Sequence, residues 1–326
     1  MKKNKKILGV IFVLVLWCVM MVGGLAFAQE KFPTKPITLI VSWTAGGGQD
    51  LTARALQPQL EKALGQAVIV SNKPGGGASI GFSEIMYAHP DGYIIGQASP
   101  SLNILKYIMK TDIDYRKFEP IAYGGYSPGV LLVRNEAPWK TIKEFLDYCK
   151  ANPGKVKVGN TGYGSIGHML DISMEHAAGV KFIQVPYKGS APTIPAVLGG
   201  HVDAIGSWIT DTLHLIKGNK LRALAITAPE RSKFVPDAPT FKELGMDSEV
   251  GTYYSWVGPK GIPKDRINIL YNGLKEAIES KEFKDFCDSQ GVTISMKNPE
   301  ELGKFYEKED KMWKQLIEIG GIKPES

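Results

Sequence analysis

The chain is poor in the residues that carry most chemistry. It has 3 cysteines and 5 histidines in 326 residues. The histidines, His89, His168, His176, His201 and His214, form no H-x-x-x-H or H-E-x-x-H pair, and Cys149 and Cys287 stand alone, so the spacing of a metal site is missing. A serine-hydrolase elbow, G-x-S-x-G, is absent too, because Tyr163 occupies the first glycine position before Gly164-Ser165-Ile166-Gly167. No catalytic residue, metal or cofactor is therefore expected. The chain also has no repeat, no low-complexity linker and no block of like charge beyond its first residues.

Those first residues read as an export leader. Four lysines precede position 7, an apolar run covers residues 7–22, and Ala26-Phe27-Ala28 has the small-x-small form of a cleavage site. Residues 1–28 are predicted to be a signal peptide cleaved near Ala28, which places the mature chain in the periplasm. The run reaches the lower limit for a membrane span, so an uncleaved anchor is the alternative. Cys18 lies inside it without the small residues that lipid attachment needs. The leader holds four of the 39 basic residues and none of the 33 acidic ones, leaving 35 against 33. A nearly neutral mature chain with no basic stripe excludes nucleic acid as a partner.

Glycine is abundant and clustered. Gly46-Gly47-Gly48 stands where an apolar strand turns into a helix, and Gly75-Gly76-Gly77 follows a second short apolar run. Neither fits G-x-G-x-x-G or a Walker ending. Glycines at such turns let backbone approach a ligand, and the helix they open offers unpaired N–H groups that suit a carboxylate or phosphate.

Short β-rich runs alternate with amphipathic stretches, the pattern of an α/β protein with helices on mostly parallel sheets. Strands are predicted at 38–42, 68–71, 93–98, 130–133, 156–159, 182–185, 202–205, 221–227, 253–257 and 292–295. Thr141 with Glu144, and Asn298 with Pro299 and Glu301, mark helix starts. The last helix carries Leu302, Phe305, Tyr306, Trp313 and Leu316 at spacings that make a core stripe. Asp50 sits where an N-cap is expected. Ligands in open α/β sheets lie beyond the carboxyl ends of strands, which singles out four loops: the two glycine clusters, residues 160–169 and residues 186–192.

Seven blocks in order give the chain a family resemblance. They are Pro36-Ile37 with its strand; Ala45-Gly46-Gly47-Gly48 with Asp50 and Arg54; Asn72-Lys73-Pro74-Gly75; Pro90-Asp91-Gly92-Tyr93; Gly162-x-Gly164-Ser165-x-x-His168; Tyr187-Lys188-Gly189-x-x-Pro192; and Gly199-Gly200-x-Val202-Asp203. With them the chain resembles the substrate-binding proteins of tripartite tricarboxylate transporters, the Bug/TctC family. The resemblance implies a two-domain periplasmic-binding-protein (Venus flytrap) fold, each domain a mixed, mostly parallel sheet flanked by helices. It places domain 1 at residues 29–127 plus 251–326 and domain 2 at 128–250. Cys149 and Cys287 then fall in different domains, as separate buried thiols.

The implied function is capture of a small organic acid by a monomer and its delivery to the membrane permease subunits of such a transporter. A ligand sensor signalling to a membrane receptor and an exported enzyme are the alternatives. Carried over by motif, the ligand-binding residues are Trp43, Thr44, Ala45, Gly46, Gly47 and Gly48 on one side, and Gly162, Gly164, Ser165, Gly189, Ser190 and Asp203 on the other. Tyr126, Tyr163 and Trp208 are candidates for an aromatic wall. Trp43 stands where the family commonly has phenylalanine, and Gly206-Ser207-Trp208 replaces a Met-Phe-acidic run, so ligand identity does not transfer from relatives.

Overall fold

The computed structural model describes residues 31–324, and residues from Lys35 onward form one compact unit. The leader, its cleavage site and Cys18 lie outside the described residues. Among those described, no helix is long and apolar enough to cross a membrane.

The chain begins as strand–helix alternation: β1 (Ile37–Val41), α1 (Gly48–Leu64), β2 (Val68–Asn72), α2 (Ser79–Met86), β3 (Ile94–Ala98) and α3 (Ser101–Ile108). A long strand, β4 (Phe118–Arg134), leads to a second alternating set. That set is α4 (Ile142–Ala151), β5 (Lys157–Asn160), α5 (Ile166–Ala178), β6 (Ile183–Pro186), α6 (Ser190–Leu198), β7 (Ala204–Trp208), α7 (Ile209–Lys217) and β8 (Leu221–Thr227). The chain then returns through β9 (Gly251–Pro259), α8 (Lys264–Glu279), α9 (Lys281–Gln290), β10 (Thr293–Lys297) and α10 (Pro299–Ile319).

The strands run in the order β2-β1-β3-β9-β4-β7-β5-β6, with β8 and β10 also paired to β4. Each flank is parallel: β1 lies between β2 and β3, and β5 between β6 and β7. Antiparallel β9 and β4 join them. β4 pairs with β9 as far as Pro128, then from Gly129 with β7 and β8.

All ten expected strands are present, but β4 is far longer than the expected 130–133. Pro120, Gly124, Gly125 and Pro128 punctuate its first part, and in sequence they read as a loop. The strand absorbs them through register shifts at 120/122 and 123/125. Gly125 is required by close approach, since a Cβ there would lie 2.6 Å from the Thr293 carbonyl oxygen.

Alternation along β4 feeds the helices on both faces. Val130 and Leu132 pack with Val197, Ile205 and Ile226, whereas Leu131 and Val133 pack with Phe145, Leu170 and Phe182. A third buried cluster joins Ile40, Phe82, Leu102, Phe118 and Tyr253 around β1, β3 and β9. Helix α10 enters two clusters: Leu302 and Tyr306 belong to the third, while Trp313, Leu316 and Ile317 join Phe145 and Leu170. Its start has the expected capping box, with Asn298 accepting from the Glu301 amide and Glu301 from that of Asn298. At α4, Thr141 caps as expected, but Glu144 reaches the Lys140 amide, one residue earlier than a box requires. Cys149 and Cys287 are separate buried free thiols, and burial pushes each up to about 12.

Candidate functional site

A cavity of about 590 Å³ lies where the loops leaving β1, β2, β3, β5 and β6 converge with the end of β7. These are all carboxyl ends, as expected for ligand-facing loops of parallel sheets. All four loops singled out from sequence border it. Of the expected residues, Trp43, Thr44, Gly162, Gly164, Ser165, Gly189 and Ser190 line it, with Tyr163 and Trp208 from the expected aromatic wall.

Ala45, Gly46, Gly47, Gly48 and Asp203 do not line it. Asp203 sits at the opposite end of the strands, where its carboxylate accepts from the Lys157 amide at 2.8 Å. Tyr126 lines a different cavity, beside Tyr123 and Glu249.

Asp50 also differs from expectation in position. The N-cap of α1 is Gly47, which has no side chain to cap with, and Asp50 is the third helical residue. Its carboxylate reaches back to the Gly46 amide at 2.8 Å and also accepts from Arg54 and Asn72. Burial pushes the Asp50 carboxyl up, but the bonds from Arg54, Gly46 and Asn72 outweigh it and hold the group below its ordinary value. The local structural role stands, achieved from inside the helix.

The glycine amides expected to meet a carboxylate are largely engaged already. Gly162 donates to Asn160 Oδ1 at 3.0 Å, Gly164 to His168 Nδ1 at 3.0 Å, and Gly189 to the Thr161 carbonyl at 3.2 Å. Gly46 donates to Asp50, and Gly47 to the Thr44 carbonyl at 3.3 Å. Gly162 and Gly164 are in left-handed backbone (φ 123° and 71°), so they shape the loop where other residues would be strained. The donors left over are the first-turn amides of the helices these loops open. Ile166 of α5 and Ser190 of α6 are two of them at the cavity wall, and both helix starts put partial positive charge there.

Polar groups behind the wall hold this end in place. Ser165 caps α5 by accepting from the His168 amide, and its hydroxyl meets that of Thr161 at 2.9 Å. His168 is buried, and burial lowers its ring against the opposing effect of a hydrogen bond with Gln184. Its Nδ1 accepts, so the ring is neutral. The Asn160 side chain donates to buried Asp171, and its backbone carbonyl accepts from the Tyr187 amide, so one residue anchors two site loops. Asp211, hydrogen-bonded to the Ser190 side chain, is raised by burial despite bonds from Ser190 and Thr210.

Sequence reasoning missed the other wall. Ile104, Leu105 and Ile108 present one side of α3 to the cavity, and Met109 just past its end joins them. That helix is held from behind: Lys106 pairs with Asp310 at 2.7 Å and Asp114 at 3.2 Å, and Asn103 donates to the Tyr306 carbonyl. Residues 74–78 were recognised as a glycine loop but not counted among the ligand residues, yet they line the cavity. Among the described residues no group of three or more His, Cys, Asp or Glu is placed to hold a metal ion.

Parallel flanks joined by antiparallel strands, with one cavity over their carboxyl ends, define a substrate-binding protein of the periplasmic type. The chain belongs to the tripartite tricarboxylate transporter receptor family (TctC), whose profile matches residues 52–322. It is 31% identical to BugT of Bordetella pertussis over 302 residues, covering 91% of this chain and 92% of that protein. A TctC solute-binding protein from Polaromonas superposes with a TM-score of 0.79 at 33% identity, covering 88% of this chain and 99% of that one. An R. palustris protein solved with adipate has the same fold, with a TM-score of 0.79 at 24% identity over 90% of this chain and 100% of that one. Family and fold are those of substrate-binding proteins and not of enzymes.

Proposed function

We propose that this chain captures a small organic acid in the 590 Å³ cavity and delivers it, from the periplasm, to the membrane permease subunits of a tripartite tricarboxylate-type transporter. The observation that carries the reading is the convergence of the α5 and α6 starts and four glycine-containing loops on one cavity, in a chain of this receptor family. Backbone donors and helix dipoles hold a carboxylate without an arginine clamp. The relative holding adipate supports an acid as ligand.

In this reading residues 29–127 plus 251–326 form one lobe, residues 128–250 the other, and ligand binds as they close around it. The exported form is a monomer beginning after Ala28. The test is a broad organic-acid screen by thermal shift and calorimetry. A true ligand at about a hundredfold over its Kd stabilises the fold by about 2.7 kcal/mol and is recovered unchanged. No shift with any acid, or appearance of a product, removes the proposal.

A further inference from the structure

The geometry points to an acid whose body is bare hydrocarbon, aliphatic or aromatic, in preference to a hydroxylated acid. This selectivity rests on the carboxylate reading above and names the class of ligand within it.

The cavity has two chemically different walls. One holds the starts of α5 and α6, with the hydroxyls of Thr161, Ser165 and Ser190. The other is α3, where Ile104, Leu105 and Ile108 fall at i, i+1 and i+4 on one side of the helix, followed by Met109 just past its end. Ile166, Trp208 and Ile322 extend the apolar surface. Among the described residues no Asp, Glu, Asn, Gln, His or Arg lines the cavity, and the one charged residue there, Lys323, is exposed.

A carboxylate has donors at the α5 and α6 starts, and the backbone of the 75–77 turn, which also lines the cavity, offers a place for a second. What lies between meets the apolar side chains of α3 together with Ile166, Trp208 and Ile322, while Ser42, Thr44 and Ser101 add hydroxyls to the lining. Gly77 packs onto the same side chains, a Cβ there lying 3.5 Å from Leu105 Cδ2 and 3.9 Å from Met109 Sδ. A hydroxyl on the ligand body turned toward Ile104, Leu105, Ile108 and Met109 would lose water and find no partner among those four side chains, whereas a methylene gains by burial. The α3 wall therefore sets the selectivity, while the carboxylate end sets the class.

The test titrates the full mature chain with two six-carbon pairs, adipate against galactarate and hexanoate against gluconate. Within each pair that binds, the hydrocarbon acid is expected to be at least tenfold tighter. Ile108 is half-buried at the edge of α3. Ile108→Asn should cut that ratio severalfold with the thermal midpoint retained, and Met109→Gln does the same should Ile108→Asn fail to fold. Equal or tighter binding of the hydroxylated member, or a hydroxy acid leading the broad screen, overturns the inference and leaves the carboxylate reading standing. Failure of every acid removes both.

Discussion

His168 accepts the Gly164 amide at Nδ1, so a proton on that nitrogen must break the bond that shapes a site loop. Its ring is lowered below the ordinary 6.5 by burial. The neutral form therefore contributes its full stability above 6.5, and that contribution is lost as pH falls through 6.5 toward the folded value. Ligand affinity, measured calorimetrically from pH 7.5 to 5, should drop severalfold at the acid end. His168→Asn keeps an acceptor without the titration and should flatten the profile. Asp50 yields a contrasting prediction. Asp50→Ala strands the Gly46 amide and Asn72, and should cost about 2 kcal/mol in chemical denaturation. Affinity should fall less than tenfold, because that loop borders the cavity through Ser42, Trp43 and Thr44 and not through its glycines.

At the scale of elements, α10 carries a carboxyl in an unusual setting. Burial pushes Glu309 up to about 7, against the bond from Trp313 and the attraction of Lys308. Folding favours the protonated acid, so its contribution is complete below the ordinary 4.5 and lost as pH rises through about 7. Glu309→Gln keeps an acceptor for Trp313 and should raise the melting midpoint at pH 8 while changing little at pH 5.

The strands and the four site loops were legible because β-rich runs and glycine clusters are local signals. The first part of β4 was not, since Pro120 and Pro128 are tolerated only where β9 and the register shifts accommodate them. Nor was the fate of the glycine amides, which is decided by Asn160 and His168 after the loop has folded. The α3 stripe reads like any buried helix face, and nothing in Ile104, Leu105, Ile108 and Met109 tells a cavity wall from a core. Asp203 was carried over by motif, although its place before β7, at the amino end of a parallel strand, argues against contact with ligand.

For the whole molecule, the two-lobe reading predicts compaction on binding. Solution scattering should show a smaller radius of gyration with a saturating ligand found in the screen, and identical curves would remove the closing step. In that reading, closure at the crossings near Tyr126 and Val250 has to move α10 as well, because α10 is buried in two clusters. A Cβ on Gly320 would come within 2.5 Å of Ile172 Cδ1, so the end of α10 and α5 are in close register. Hydrogen exchange across residues 310–320 should therefore change with ligand, as expected where packed helices slide during closure.

The molecule carries its own optical gauge. Trp43 and Trp208 reach the cavity from opposite sets of loops and are half-buried, whereas Trp256 and Trp313 are fully enclosed. Ligand that displaces water from the first pair should blue-shift their emission, against a constant background from the second. Trp43→Phe and Trp208→Phe would divide that signal into the two sides of the cavity. Loss of the shift in only one of them would report which wall the ligand meets, without any added label.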